Sequence, residues 1–433
     1  MLMWFEKAPL PNTKTFGSHQ KNVIASASRL RGKTMLLSAQ SAQSVATSAS
    51  IFPSGIESPV DLCIICDGDV SLGAASILTA GGHSVRLWAS QDRSGTLPQY
   101  INKLPLEFEV RERGASVSSV RGKTGFGIVS EDLKVAIKGS DGVIVSRPIT
   151  EYGALAQQLA AYLTNGQTVC LFNAPLGAGL QFKEAMRKQK KDLQLNIVEM
   201  GPLFDCAKVE GNVLLIIGPR EKVSVSGNTR NETRRGLQII NSMSKGLVPA
   251  SNVLERGLSE VESILRPVFL LFALLGGRSN ELDRISNLVN PSLTRVIRSL
   301  DTEIQSIAKA YRCQVASFLE TLTHFGGVGW EEADCLDQAL ISIGQNLLGQ
   351  SVADQGELTV DAATELLKTD IITTISLLCD FARLSRTPVP VLNSLVELSS
   401  VVTRADLQKL GRKVSDLGLV GFDLDEVKEL INA

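Results

Sequence analysis

The fold is decided by Val60-Asp61-Leu62-Cys63-Ile64-Ile65-Cys66-Asp67-Gly68-Asp69-Val70-Ser71-Leu72-Gly73-Ala74-Ala75-Ser76-Ile77-Leu78-Thr79-Ala80-Gly81-Gly82-His83-Ser84-Val85-Arg86-Leu87-Trp88. Val60 to Ile65 is short, mostly apolar and bounded by turn residues, which predicts a strand buried on both faces, as in a parallel sheet. Leu72 to Ala80 can form a helix, and Gly81-Gly82 stops it. His83 to Trp88 supplies the second strand. The turn from Cys66 to Ser71 then lies where a dinucleotide's pyrophosphate sits on a helix N-terminus.

The glycine pattern of such turns, G-x-G-x-x-G/A, falls on Cys66, Gly68 and Ser71. Only Gly68 is retained, the position at which the backbone approaches the pyrophosphate. Ser71 is small enough to let helix and strand pack. Cys66 adds a side chain at the tight turn. Asp67 and Asp69 bring negative charge beside a site for anionic phosphates, which weakens binding. Ala89-Ser90-Gln91 stand where an acid would favour NAD, and Asp92 comes slightly late. Ser90 and Arg93 lean towards NADP.

Downstream, the alternation continues. Ser140-Asp141-Gly142 leads into Val143-Ile144-Val145, and Tyr152 to Leu163 reads as a helix. Thr168 to Phe172 is another buried strand. It ends in a second glycine-bearing turn, Asn173-Ala174-Pro175-Leu176-Gly177-Ala178-Gly179, before a helix from about Leu180. Ile197 to Glu199 and Val213 to Gly218 extend the series. The expectation is a doubly wound, parallel α/β sheet over residues 59–235. From Leu247 the texture is helical only, so residues 247–433 are expected to form an all-α domain. Ile297, Leu300, Ile304 and Ala308 recur at helical spacing, and apolar stripes follow near Leu336, Leu366, Leu377 and Leu407. A last helix is expected after Phe422 with Asp423 as N-cap.

The chain has 433 residues and 44% hydrophobic but only 5% aromatic content, which suits an aliphatic-rich α/β or α protein. A formal charge of -1 gives no global electrostatic reason for nucleic-acid binding. No run approaches the roughly 18 uncharged apolar residues of a membrane span, and Pro267 to Leu275 reads as a buried helix. Seven scattered cysteines argue for reduced thiols. Cys63 and Cys66 point to opposite faces of a strand and cannot readily share a metal, so no metal site is expected. Residues 1–55 are different in kind. Lys7, Lys14, Lys21, Arg29, Arg31 and Lys33 face only Glu6 before Glu57, and Ser and Ala dominate residues 25–50. That composition reads as a transit peptide, with plastid as the first destination and mitochondrion or cytoplasm as alternatives, or as a disordered tail that carries no address.

The order of these segments resembles the octopine/nopaline (opine) dehydrogenase family. Gly82 to Trp88 resembles its second strand. Asn165-Gly166-Gln167-Thr168-Val169 with Asn173 to Phe182 resembles its glycine turn and the following helix start. Glu199 to Lys208 resembles its "ET-x-TL-x-YA" segment. Asn252-Val253-Leu254-Glu255 with Leu265-Arg266-Pro267 resembles "NVLE…LHP", and Leu300-Asp301-x-Glu303 with Ala308-Lys309-Ala310 resembles "LD-x-ER…A-x-A". The resemblance implies a Rossmann domain followed by a helical domain. It also implies reduction by NAD(P)H of an imine formed from an amino acid and a 2-oxo acid. The family moves its proton with a histidine in the Leu-His-Pro segment, assisted by an aspartate. A carboxylate fixes the imidazole tautomer and steadies its cation.

Here the histidine position is Arg266, and Asp301 matches the aspartate. Arginine stays protonated and cannot act as a base at neutral pH. It can pair with Asp301 or bind a substrate carboxylate through its planar fork. Of the three histidines, His19, His83 and His324, only His324 lies in the helical region. Two readings stay open. One is an NAD(P)-dependent oxidoreductase with altered chemistry, its cofactor held by Cys66, Gly68, Asp69, Ser71, Asn173 and Gly177. The other is a non-catalytic scaffold that binds a protein or metabolite and has no cofactor of its own.

Overall fold

The computed structural model describes residues 59–88, 106–111, 120–189, 193–220, 222–241, 246–276, 288–325, 336, 339–340 and 359–433. The basic segment 1–55, Ser90 to Arg93 and Cys335 lie outside these residues. The described residues fall within one compact unit, Ile51–Ala433.

Strand β1 (Asp61–Ile65) is central. It pairs in parallel with β2 (Ser84–Trp88) on one side and with β6 (Gly142–Val145) on the other. β5 (Ile128–Ser130) extends the sheet beyond β2. β7 (Thr168–Leu171) and β8 (Asn196–Met200) extend it beyond β6, all in parallel. The order β5-β2-β1-β6-β7-β8 reverses direction between β1 and β6, the switch point of a Rossmann sheet. β11 (Val223–Gly227) joins β8 antiparallel, and β12 (Leu247–Pro249) closes that edge. The apolar run of β1 follows from this position. Leu62 and Ile64 pack under helix α1 (Asp69–Ala80), while Cys63 and Ile65 pack on the opposite face with Tyr152 and Phe182. Cys63 and Cys66 thus enter different cores, and burial pushes both thiols up to about 12.

The strand from Val213 departs from the sequence expectation. Val213 does not continue the Rossmann sheet. A second sheet forms in the order β4-β3-β10-β9, from β3 (Leu106–Arg111), β4 (Val120–Thr124), β9 (Phe204–Glu210) and β10 (Val213–Pro219). The cause is local. Gly211, at φ 62°, and Asn212 make a two-residue turn, so β10 folds back antiparallel on β9 before it can reach the main sheet. This sheet covers the outer side of α1. A Cβ on Gly73 would stand 2.8 Å from the Phe204 ring and 3.0 Å from Ala207, which is why that helix face is made of small residues. The segment from Leu247 likewise contributes the short β12 before the helices begin.

Three helices cover the other face of the main sheet: α2 (Leu133–Ile137), α3 (Tyr152–Leu159) and α4 (Ala178–Arg187). α5 (Arg230–Ile240) follows β11. The helical part begins with α6 (Val253–Leu258), α7 (Val261–Leu275), α8 (Pro291–Ala310) and α9 (Phe318–Phe325). It continues with α10 (Val360–Asp370), α11 (Ser376–Leu384), α12 (Pro390–Thr403), α13 (Leu407–Leu410) and α14 (Leu424–Ile431). Ile297, Leu300, Ile304 and Ala308 of α8 are all buried in its core, as their spacing predicts. Asp423 caps α14 by accepting the amides of Asp425 and Glu426. Among the described residues, no helix is long and apolar enough to cross a membrane.

Candidate functional site

The carboxyl ends of β1 and β6 form the crevice in which a Rossmann sheet takes its ligand. Gly68 begins the turn there with φ 134°, a conformation that excludes an ordinary L side chain, and a Cβ at that position would meet nothing within 4 Å. Asp69 does not point into that space. Its Oδ2 accepts the Val209 amide of β9 at 2.9 Å, and burial raises its pKa against that hydrogen bond. Ser71 organises the turn from inside. Its Oγ accepts the amides of Asp67 (2.9 Å) and Gly68 (3.2 Å) and donates to the Gly68 carbonyl at 2.7 Å. The serine at the third glycine position therefore consumes two amides. Cys66 is buried in the core, its thiol in hydrogen-bond contact with Ser71 and pushed up to about 12 chiefly by burial.

The second glycine-bearing turn has a different fate. Asn173 is exposed after β7 with φ 52°. Gly177, which adopts a left-handed φ of 67°, is buried against the helical part, and a Cβ there would lie 3.1 Å from Leu417. The N-terminus of α4 is already occupied. The Gly179 amide donates to Glu199 Oε2 at 2.7 Å, and Glu199 Oε1 binds Arg256 Nε at 2.8 Å with both side chains fully buried. Arg256 also donates to the Ala174 carbonyl at 2.9 Å. Gly177 was expected to hold a cofactor. It packs against Leu417 of the helical part, beside a helix N-terminus whose Gly179 amide an internal carboxylate takes.

The two carried-over catalytic positions are not brought together. Arg266 lies on α7, which packs against α10. Its Nε and Nη2 bind Asp370 Oδ2 and Oδ1 at 2.8 and 2.5 Å, a bidentate pair. Asp370 beside it keeps Arg266 charged, its pKa raised further. Asp301 is a helix cap instead. Its Oδ2 accepts the Phe318 amide at the start of α9 at 3.2 Å, and its partly buried carboxyl is raised in pKa chiefly by desolvation. The aspartate opposite Arg266 is therefore Asp370. It ends α10, where a π-helical segment, Ile371–Ile375, carries the chain into α11. Arg412 steadies that segment through bonds to the Ile372 and Thr373 carbonyls. His83 is buried, with Nδ1 accepting the Val60 amide, and burial lowers its pKa. The His324 side chain lies outside the description.

Sequence reasoning also missed Arg147, two residues beyond β6. Its Nη1 stands 3.2 Å from the Cys66 carbonyl and 3.5 Å from Asp67, and Glu151 holds its Nε and Nη2. A cavity of about 760 Å³ in the helical part is lined by Asp380, Arg383, Lys409 and Arg412 among others, and by none of these crevice residues. Among the described residues, no cluster could hold a metal ion.

No family model matches the sequence. A curated relative, opine dehydrogenase of Arthrobacter sp. (strain 1C), is 21% identical over 356 residues, 81% of this chain and 96% of its own length. Octopine dehydrogenase, solved in complex with NADH and agmatine, superposes with a TM-score of 0.65 at 14% identity, over 86% of this chain and 98% of that one. Yersinopine dehydrogenase with bound NADP+ gives 0.59 at 16% identity, over 86% and 98%. In its two-part architecture, a Rossmann sheet followed by helices, the chain is similar to these opine dehydrogenases.

Proposed function

We propose that the protein binds NAD or NADP at the β1/β6 crevice and acts on a small carboxylate-bearing molecule of the amino acid or 2-oxo acid type. Its proton transfer does not use Arg266. The observation that carries this reading is the direction of Asp69. Tied to Val209, its carboxylate leaves the space at Gly68 open and free of that charge. Arg147 reaches this turn through the Cys66 carbonyl. The bound nicotinamide would supply hydride, and the chain's residues would orient the substrate. The test is a fluorescence titration with NADH and NADPH. Saturable micromolar binding supports the proposal, and the tighter of the two names the cofactor. No binding at millimolar nucleotide overturns it.

A second reading is a non-catalytic scaffold that binds a protein partner or metabolite and takes no cofactor. It is favoured by Arg266, whose planar fork is spent on Asp370. The Arg266→His variant separates the two. With a nucleotide bound, a histidine beside Asp370 is expected to raise amino acid-dependent reduction of a 2-oxo acid by on the order of 10²-fold, the lower range for a general acid or base. No nucleotide binding and no reduction by either the wild type or Arg266→His favours the scaffold. For residues 1–55 we propose a plastid address, checked by where a fluorescent fusion of that segment accumulates in plant cells.

A further inference from the structure

We infer that Arg147 is the cation that receives a dinucleotide's pyrophosphate, and that Asp67 occupies it as a built-in competitor until the nucleotide arrives. This rests on the nucleotide reading above and deepens it. In a glycine-rich turn, backbone amides cradle the phosphates. Here Ser71 has taken the amides of Asp67 and Gly68, so part of that cradle is gone. A replacement donor has to reach the turn from a neighbouring strand end, and Arg147 does so. It enters from β6 across the switch point, and its guanidinium touches the Cys66 carbonyl. It lies 6.0 Å from the ring centroid of Trp88 at the end of β2. The carboxyl ends of β1, β2 and β6 thus meet at one cation. Its planar fork matches phosphate geometry.

The two carboxylates on Arg147 are held unequally. Glu151 Oε2 takes Nε at 2.9 Å and Nη2 at 2.6 Å from four residues along the same segment. Asp67 makes a 3.5 Å contact with Nη1, and its side chain is 28% exposed. Glu151 therefore orients the guanidinium, and Asp67 is the group that yields. A phosphate oxygen in the place of Asp67 Oδ1 would meet the same nitrogen. With both carboxylates ionised, this cluster carries one more negative than positive charge (two against one) before any nucleotide binds. The wild-type crevice therefore resists an anion that it is otherwise shaped to accept.

The experiment measures NADH and NADPH binding by fluorescence for the full chain, Asp67→Asn, Arg147→Gln and the double variant, with thermal melting of each as a folding control. Asp67→Asn keeps size and removes charge, and is expected to bind at least about tenfold tighter, the scale of one charge-assisted contact. The gain should vanish in the double variant. Arg147→Lys, which keeps charge without the fork, separates loss of the cation from loss of folding. Binding by Asp67→Asn alone, with none by the wild type at millimolar nucleotide, overturns the nucleotide reading for the wild-type chain and with it the displacement of Asp67. If the wild type binds but Asp67→Asn is no tighter, or keeps its gain without Arg147, the inference falls and the nucleotide reading stands. If neither the wild type nor Asp67→Asn binds, both fall.

Discussion

The chain carries two glycine-bearing turns at the carboxyl edge of one sheet, and they have opposite fates. At Cys66 to Ser71, the turn faces open space and its nearby carboxylate, Asp69, is drawn away by a neighbouring sheet. At Asn173 to Gly179, the helix N-terminus is filled by Glu199, and the turn is sealed by Arg256 and Leu417. A glycine turn before a helix is thus only an offer of amides. Which anion accepts the offer, a ligand or a side chain of the same molecule, depends on residues far away in the chain.

The comparison breaks most visibly at Arg256. Its removal leaves the fully buried Glu199 carboxyl without its arginine partner. Arg256→Ala is expected to destabilise the fold by about 3–5 kcal/mol, measured by urea unfolding. A loss below about 1 kcal/mol would mean that water reaches Glu199 and that the second turn is not sealed.

A matched pair of substitutions sharpens it next. Gly179→Ala places a Cβ 2.7 Å from Asn228 Oδ1, an overpacking worth about 1–3 kcal/mol of stability. Gly68→Ala meets no neighbour. Its penalty is backbone strain, of order 1–3 kcal/mol, and it is expected to weaken NADH or NADPH binding as well. Nucleotide binding should be insensitive to Gly179→Ala and sensitive to Gly68→Ala. The reverse pattern would move the site to the second turn.

The smallest expected effect concerns pH. Burial raises the Asp69 pKa in the folded state. The folded protein then binds this proton more tightly than the unfolded chain does. Stability contributed by Asp69 falls as pH rises from the unfolded carboxyl value through the folded one, and stays lower above it. Asp69→Asn should flatten that part of a pH–stability curve recorded by thermal melting. An unchanged curve would place Asp69 in water, facing the crevice.

Much of the fold was legible because burial on both faces of β1 forces an unbroken apolar run, and helical packing forces the Ile297, Leu300, Ile304, Ala308 spacing. Gly81-Gly82 and Asp423 marked helix ends because capping is local chemistry. The fate of Val213–Gly218 was not legible, since an apolar run is the same in either sheet and two turn residues redirect it. Within the site, Gly68 and the position of Arg266 were visible from motif order. The partner of Arg266 was not, because Asp301 and Asp370 both lie on helices of the same core and nothing in their spacing says which one α7 will face. Arg147 carried no motif, only its place just beyond a buried strand.

The sequence by itself determined the opening strand–helix–strand unit, the position of the crevice and the absence of histidine at Arg266, since each depends on residues close together in the chain. Tertiary structure alone decided that Asp69 turns to Val209, that Glu199 closes the second turn, that Asp370 claims Arg266 and that Asp67 leans on Arg147. Each is the choice of a partner, amide or ion, for a charged side chain, and electrostatic attraction in a buried site depends on distance through space, which chain spacing does not encode.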